Sequence, residues 1–432
     1  MPAVERMSSS SKSQNVRVRR STPELVDRKA NTRKAPPPML ADPRDLRVIG
    51  PPDPILTAAL IALVAFGIVM VYSASSVWSH FKLKNDHALV IKQAAHALIG
   101  VPLLFGLARF DYHRLRKFTY PLLFGTLLLL VATVLGLGHA AGGAARWLQV
   151  GPLRIQPVEP AKLAVICWLA YSLSNKTAHI RTFSVGFLPH VLGAFVFMGL
   201  CLKQPDFGSF VMIGLILFFM LFTAGAHLGY LLGGCIAALP IVWLSVRGSE
   251  YRMHRIMSFL PGSENYQLHE SRLSFGLGGA TGVGIGNSYQ KLLFLPEAHT
   301  DFISAIIGEE LGLLGFALMV LVFLLVIYRG IKAAFAAADE YGTYLAVGTT
   351  LFIGTQAFTN LAVAVGLLPT KGLVLPFISY GGSSLLVNCC CAGILLNVSR
   401  PRSASWASSA SSASSQATER ANAPARTLGG VA

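Results

Sequence analysis

The chain has 432 residues, 53% of them hydrophobic and only 13% charged, which excludes an ordinary soluble globular protein of this size. Its formal charge of +16 points to nucleic acid only until the charge is located. Residues 1–48 hold eleven Lys/Arg against five Asp/Glu, and the tail from Arg400 adds four Arg against Glu419; no RNA- or DNA-reading motif accompanies them, so the expected contact is an anionic membrane face and no nucleic acid.

In chain order, residues 1–50 are rich in Ser, Arg and Pro and predict a disordered basic tail. The first apolar run begins at Ile55 and is too long for the core of a cleavable signal. From there the sequence predicts an all-α polytopic membrane protein over 51–399, with about ten spans near 55–77, 88–108, 118–137, 161–175, 186–203, 208–225, 228–246, 302–328, 345–367 and 377–397. The six cysteines lie in or beside these runs and read as packing residues, with no disulfide framework or metal spacing. Residues 400–432 form a second tail, Ser/Ala-rich, with eight Ser between Ser403 and Ser415.

Lys/Arg bias sets the orientation. The N-terminal tail, Arg109–Lys117, Asn175–Ser184 and Arg329–Lys332 fall on one side if ten spans alternate, so both termini are expected to be cytoplasmic. Lys82, Lys84, Arg146, Arg154 and Lys203 then lie outward, where a polyanionic ligand would account for them. The one long outward loop, 247–301, separates the seventh and eighth spans. Its run Gly276–Asn287 carries six glycines, a very weak nucleotide fingerprint because no strand precedes it.

Four polar clusters converge on the outer side. The first is Arg146-Trp147 with Arg154-Ile-Gln-Pro-Val-Glu-Pro-Ala-Lys162; in a helix starting near Pro160, Glu159 and Lys162 share a face. The second is the turn Lys203-Gln-Pro-Asp-Phe-Gly-Ser209, where Asp206 serves a ligand or caps the sixth span. The third is Lys291-Leu-Leu-Phe-Leu-Pro-Glu-Ala-His-Thr-Asp-Phe302, leading into Gly308-Glu-Glu310. Pro296 ends the loop, Thr300 or Asp301 can cap the next helix, and Glu309 and Glu310 read as a lock or gate rather than as catalysts. The fourth is Pro369-Thr-Lys-Gly372 running on to Pro376-Phe-Ile-Ser-Tyr-Gly-Gly-Ser-Ser384, preceded by Asn360. Such broken backbone at membrane depth needs protein or a water-filled cavity over it. Lys371 either binds a ligand or snorkels to the interface.

The Gln-Pro-Asp-Phe-Gly-Ser turn, the Leu-Pro-Glu-Ala-His-Thr-Asp-Phe segment with its Gly-Glu-Glu-Leu-Gly, and the Pro-Phe-Ile-Ser-Tyr-Gly-Gly-Ser-Ser ending occur in this order. In them, residues 50–400 resemble the SEDS family of shape, elongation, division and sporulation proteins. The long basic tail and Pro369–Gly372 look more like its division branch than its elongation branch. The resemblance implies a peptidoglycan glycosyltransferase of the bacterial inner membrane, polymerising lipid II on the periplasmic face at the division septum. It further implies a class B penicillin-binding transpeptidase (FtsI-like) as partner, with divisome regulators such as FtsQ, FtsL, FtsB and FtsN. Asp301 matches the family's essential loop aspartate, and Arg154, Glu159 and Lys162 match its polar cavity group. Val158 departs from the family's usual Ser, and Leu293 stands where some division members carry an acidic residue.

For that reaction, displacement of undecaprenyl diphosphate inverts the anomeric carbon. Asp301 is the candidate general base or, alternatively, a ligand for a divalent cation (Mg or Mn); no organic cofactor is implied. A charge-stabilising helix N-terminus would lower its pKa and weaken it as a base. Arg154, Glu159, Lys162, Lys371, Arg252 and Arg255 are the candidate diphosphate-binding group. Asp206, Glu297, His299, Glu310, Asn360, Ser379 and Tyr380 are supporting candidates. A lipid II flippase and a non-catalytic divisome scaffold are the competing readings.

Overall fold

The computed structural model describes residues 46–48, 50–141, 144–151, 153–248, 250–257, 265–370 and 372–404. Most of both tails, and Lys371, lie outside them. A helix occupies each of the ten apolar runs: α1 (Pro54–Leu83), α2 (Ala88–Arg109), α3 (Leu115–Ala132), α4 (Val158–Asn175), α5 (Leu188–Lys203), α6 (Phe207–Thr223), α7 (Leu228–Arg247) and, after two short helices α8 (Glu250–Met257) and α9 (Tyr266–Gly278), α10 (Ile303–Phe335), α11 (Glu340–Ala364) and α12 (Gly382–Val398). Six of these regions are long and apolar enough to cross a membrane: Pro54–Leu83, Ala88–Arg109, Tyr112–Leu137, Phe183–Lys203, Leu228–Arg247 and Ile303–Phe335. Helices α6 and α12 are apolar but shorter, while α4 and α11 carry buried polar residues. The chain is an all-α polytopic membrane protein.

Local chemistry starts several of these helices. The Asp53 carboxylate accepts from the N–H groups of Ile55 and Leu56 ahead of α1, with Pro54 at the first helical position, where its missing N–H costs nothing. Asp206 caps α6 through the Ser209 N–H, and Asp339 caps α11 through the Gly342 N–H. Helices α11 and α12 are buried on most sides, with Leu345, Phe352, Ile353, Cys391, Leu395 and Leu396 at 0% exposure. Such all-round burial marks central helices. The outer helices α3, α7 and α10 instead present rows of exposed Leu, Phe and Trp, as lipid-facing surfaces do.

Two small sheets complete the architecture. Strands β2 (His139–Ala141), β3 (Ala144–Val150) and β4 (Leu153–Ile155) form an antiparallel sheet between α3 and α4. Strand β1 (Leu46–Val48) pairs with β5 (Arg402–Ala404), so the chain enters α1 and leaves α12 on one face. Ion pairs Arg329–Asp53 at 3.0 Å and Arg402–Asp111 at 2.9 Å gather the α2–α3 turn and the end of α10 there. The turns leading into α4, α6, α10 and α12 lie at the opposite face.

Three local expectations change. Helix α4 begins at Val158, not near Pro160, which buries Val158 at 1% exposure. The long loop 247–301 is partly helical, in α8 and α9. Its glycine run, a very weak nucleotide fingerprint, docks as backbone on α10. Helix α10 breaks at Gly312 (φ 67°), and there Leu313 and Leu314 N–H donate to the Gly279 and Ala280 carbonyls, while Val283 and Gly284 N–H donate to those of Glu309 and Glu310. The break would otherwise leave these groups unpaired inside the membrane. A Cβ on Gly282 would sit 2.2 Å from the Glu310 carbonyl, so only glycine fits.

Candidate functional site

Asp301 stands on the turn that enters α10. The left-handed Glu297 (φ 55°) presents its carbonyl to the N–H groups of Thr300, Asp301 and Phe302, at 3.2, 3.1 and 3.3 Å. This backbone cap replaces the expected side-chain cap: the α10 N-cap residue is Phe302, with no side-chain hydrogen bond. The Asp301 carboxylate is therefore left over. It is half-buried, and among the described residues no donor is bonded to it. Burial, then the Glu297 carboxylate, push it up to about 7, while Arg255 and Arg146 pull the other way without cancelling them.

Asn360 holds this turn in place. Its amide donates to the Asp301 carbonyl at 2.8 Å and the Leu373 carbonyl at 2.7 Å, and its Oδ1 accepts from Ser304 Oγ at 3.0 Å. One side chain thus joins α11, the start of α10 and the broken entry to α12. Gly372 lies close enough that a Cβ would be 3.3 Å from Asp301 Oδ2. Lys371 falls outside the described residues; its neighbour Thr370 accepts from Arg255 through its carbonyl at 2.9 Å and from Asn265 Nδ2 through its hydroxyl at 3.2 Å.

The other candidates divide into a cationic rim and a buried pair. Arg146, on β3, donates to the Gln204 and Pro205 carbonyls. Arg252 donates to the Ser245 and Leu202 carbonyls and is close enough to feel the charge of Arg146. Arg154 is exposed on β4, near enough for its charge to reach Tyr380. Lys162 is wholly buried, 2.7 Å from Glu159 and 5.2 Å above the Phe352 ring. It sits beneath the site rather than at its surface, and the second Glu159 oxygen has no partner among the described residues. The charges of Asp206, Lys162, Glu159 and Arg146 converge around Cys201. Asp206 itself is committed to Ser209, by N–H at 3.0 Å and Oγ at 2.8 Å.

A second set of contacts fixes the loop before Asp301. Buried Lys291 donates to Glu310 at 3.1 Å, to Ser73 Oγ at 3.4 Å and to the Gly286 carbonyl. Glu310 also accepts from Ser73 Oγ of α1 at 2.6 Å, and Glu309 accepts from Ser288 Oγ and the Tyr289 N–H. Both glutamates act as locks. His299 packs between Trp78, ring centroids 5.0 Å apart, and Tyr380, at 6.0 Å, and its carbonyl accepts from the Tyr380 N–H. Burial pushes the His299 imidazole below the ordinary histidine range against the opposing pull of Glu297. Ser379 Oγ accepts from the Leu375 N–H at 2.8 Å, and its carbonyl accepts from Gln93.

Arg146, Trp78 and Lys291 join the site without having been singled out as site residues. Arg146 was legible as a member of the first outward cluster and Lys291 as the start of the third, though neither was assigned a role; nothing local marks Trp78. As for a divalent cation, no group of three or more His, Cys, Asp or Glu among the described residues could hold one. Asp301 supplies one free carboxylate, which suits a Mg²⁺ whose shell is completed by substrate phosphates and water.

Comparison with known proteins gives a consistent result. Residues 54–404 match the family FtsW/RodA/SpoVE, described as cell cycle protein. The chain is 43% identical over 353 residues to the probable peptidoglycan glycosyltransferase FtsW of Geobacter metallireducens, covering 80% of this chain and 94% of the relative. It is 39% identical over 357 residues to the stage V sporulation protein E of Bacillus subtilis, covering 81% and 97%. Among solved structures, a chain of a peptidoglycan synthase complex that coordinates polymerization and crosslinking superposes with a TM-score of 0.67 at 28% identity, covering 81% and 97%. The rod shape determining protein RodA of Thermus thermophilus superposes at 0.60 and 27% identity, covering 81% and 96%.

Proposed function

The chain belongs to the FtsW/RodA/SpoVE family of cell cycle proteins, and on that premise we propose that it is a peptidoglycan glycosyltransferase that polymerises lipid II at the division septum, with its active site on the periplasmic face. The observation that carries this reading is the Asp301 carboxylate: half-buried, bonded to no described donor, and raised to about 7. A base works best with a pKa near the working pH. The Asp301 carboxylate does not cap α10, whose N-cap residue is Phe302, and burial with the Glu297 carboxylate outweighs the lowering expected at a helix N-terminus.

In the reaction the acceptor 4-hydroxyl gives its proton to Asp301 as its oxygen bonds to the donor's anomeric carbon. The bond from that carbon to the diphosphate oxygen breaks in the same displacement, and the configuration inverts. Undecaprenyl diphosphate leaves with the negative charge. In this reading Arg255 and Arg146, whose charges already reach Asp301, stabilise it together with Arg252 and Lys371. Glu159 and Lys162 brace this floor, and Asn360 fixes the base. A divalent cation, if bound, would be held by Asp301 and would neutralise the diphosphate. A class B penicillin-binding transpeptidase is the expected crosslinking partner, with FtsQ, FtsL, FtsB and FtsN as regulators.

The test gives purified protein, with its transpeptidase, labelled lipid II with and without a chelator, comparing wild type with Asp301→Asn. Glycan strands from wild type and a loss of about 10²–10⁴-fold in Asp301→Asn are expected. Equal polymerisation by both would refute the base. Lipid II crossing liposomes with no polymer formed would move the assignment to a flippase.

A further inference from the structure

A half-open cavity of about 200 Å³ lies between the outer end of α1 and the loop that carries Asp301. Trp78 of α1 lines it, with Lys291, Leu293, Leu295, Glu297 and His299 from the loop. Two residues of that loop, Leu293 (φ 75°) and Glu297 (φ 55°), are left-handed, a conformation that costs a non-glycine residue about 1 kcal/mol or more. The strain shapes the cavity wall. Half-buried Trp78 and buried His299 supply ring surface, and the exposed Glu297 stands at the mouth.

The lining decides what fits. Among the described residues Lys291 is the one lysine or arginine on the wall, and its ammonium is already given to Glu310, Ser73 and the Gly286 carbonyl. A diphosphate would therefore meet a carboxylate and no spare positive charge. An isoprenoid chain would press hydrocarbon on Glu297 and His299 and leave them without partners, an unfavourable desolvation. A neutral sugar suits both halves: its C–H face lies on the indole, and its hydroxyl and acetamido groups reach Glu297 and His299. At about 200 Å³ the cavity falls below the range of about 300–1,000 Å³ of drug-sized sites, which favours one ring over a longer ligand. Glu297 both lines this cavity and acts on the Asp301 carboxylate, so the cavity adjoins the base.

We propose that this cavity is the acceptor subsite, holding the terminal N-acetylated amino sugar with its 4-hydroxyl toward Asp301, and that Trp78 is its platform. This rests on the glycosyltransferase reading. The division of labour is then between residue types: the arginines about Asp301 take the diphosphate, and an aromatic pocket whose lysine is already engaged takes the sugar.

The experiment uses the full chain with its transpeptidase in wild-type, Trp78→Ala and Trp78→Phe forms, with thermal unfolding to confirm that each is folded. The probe is the soluble tetramer of β-1,4-linked N-acetylglucosamine, followed by saturation-transfer NMR and as an inhibitor of lipid II polymerisation. Expected are competitive inhibition of wild type, an apparent KM raised about tenfold in Trp78→Ala with kcat much less affected, and recovery of most of that loss in Trp78→Phe. A folded Trp78→Ala with unchanged KM and unchanged tetramer binding overturns the subsite while leaving the glycosyltransferase intact. Competition by undecaprenyl phosphate with none by the tetramer also overturns it, in favour of a lipid groove. If wild type makes no polymer yet binds the tetramer in a Trp78-dependent way, the enzyme reading fails and the sugar site stands.

Discussion

Two aspartates at opposite faces of the bundle show how differently one residue type can be used. Asp339, at the face where the chain ends meet, is 10% exposed. It accepts from Tyr112 at 2.6 Å, Arg116 at 2.6 Å and the Gly342 N–H at 3.0 Å, with His113 at 3.3 Å. Burial alone would raise its pKa, but the bonds from His113 and Tyr112 outweigh burial and hold it below the ordinary carboxylate range. Asp301 has the burial without the donors and goes the other way. A carboxylate saturated with donors is a fastener; one left without them is available to take a proton.

Exchanging what each aspartate has should break the comparison if it is false. The largest effect is expected from Asp301→Asn, which removes polymerisation by about 10²–10⁴-fold without unfolding the protein. Its stability should depend on pH in a telling direction. A carboxyl whose folded pKa lies above its unfolded value contributes stability at low pH and loses it as pH rises through about 7. The Asn variant, which cannot ionise, should thus melt higher than wild type at pH 8, the advantage shrinking toward pH 4. Asp339→Ala is expected to do the reverse, lowering the melting temperature through a loss of about 3 kcal/mol while leaving the per-molecule rate of folded enzyme nearly intact. Asp339 has a depressed pKa, so its contribution is present at neutral pH and fades as pH falls through the folded value, below about 4. Asn360→Ala sits between the two: losing its bonds to two carbonyls should cost about 1–3 kcal/mol of activation free energy, read as a fall in kcat with little change in KM. The smallest effect is expected from Arg252→Gln at the edge of the cationic rim, a few-fold rise in KM that shrinks with added salt.

What could be read in advance follows the range of the interactions. The apolar runs announced the helices because length and hydropathy are local properties. The third motif announced Asp301 because its carboxylate stands where a loop meets a helix. The protonation state of Asp301 was not legible, since it depends on burial in the folded chain, on the Glu297 carboxylate brought beside it by a left-handed turn, and on arginines 46 and 155 positions away in the chain. The glycine run was visible, but its use was not: docking on a broken helix requires knowing that Gly312 lies opposite Gly282. The pairing of Lys291 with Glu310 and with Ser73 of α1 is equally non-local. Strands β2–β4 escaped because residues 139–155 alternate too weakly to announce a sheet.

The most direct test of the central claim is the pH dependence of kcat/KM for lipid II polymerisation, which reports ionisations of the free enzyme. The account predicts a plateau above neutrality and a fall of about tenfold per pH unit below an inflection near 7, absent from any residual activity of Asp301→Asn. A profile that stays flat from pH 8 down to about 5, with its inflection near the ordinary aspartate value of about 4, would contradict it.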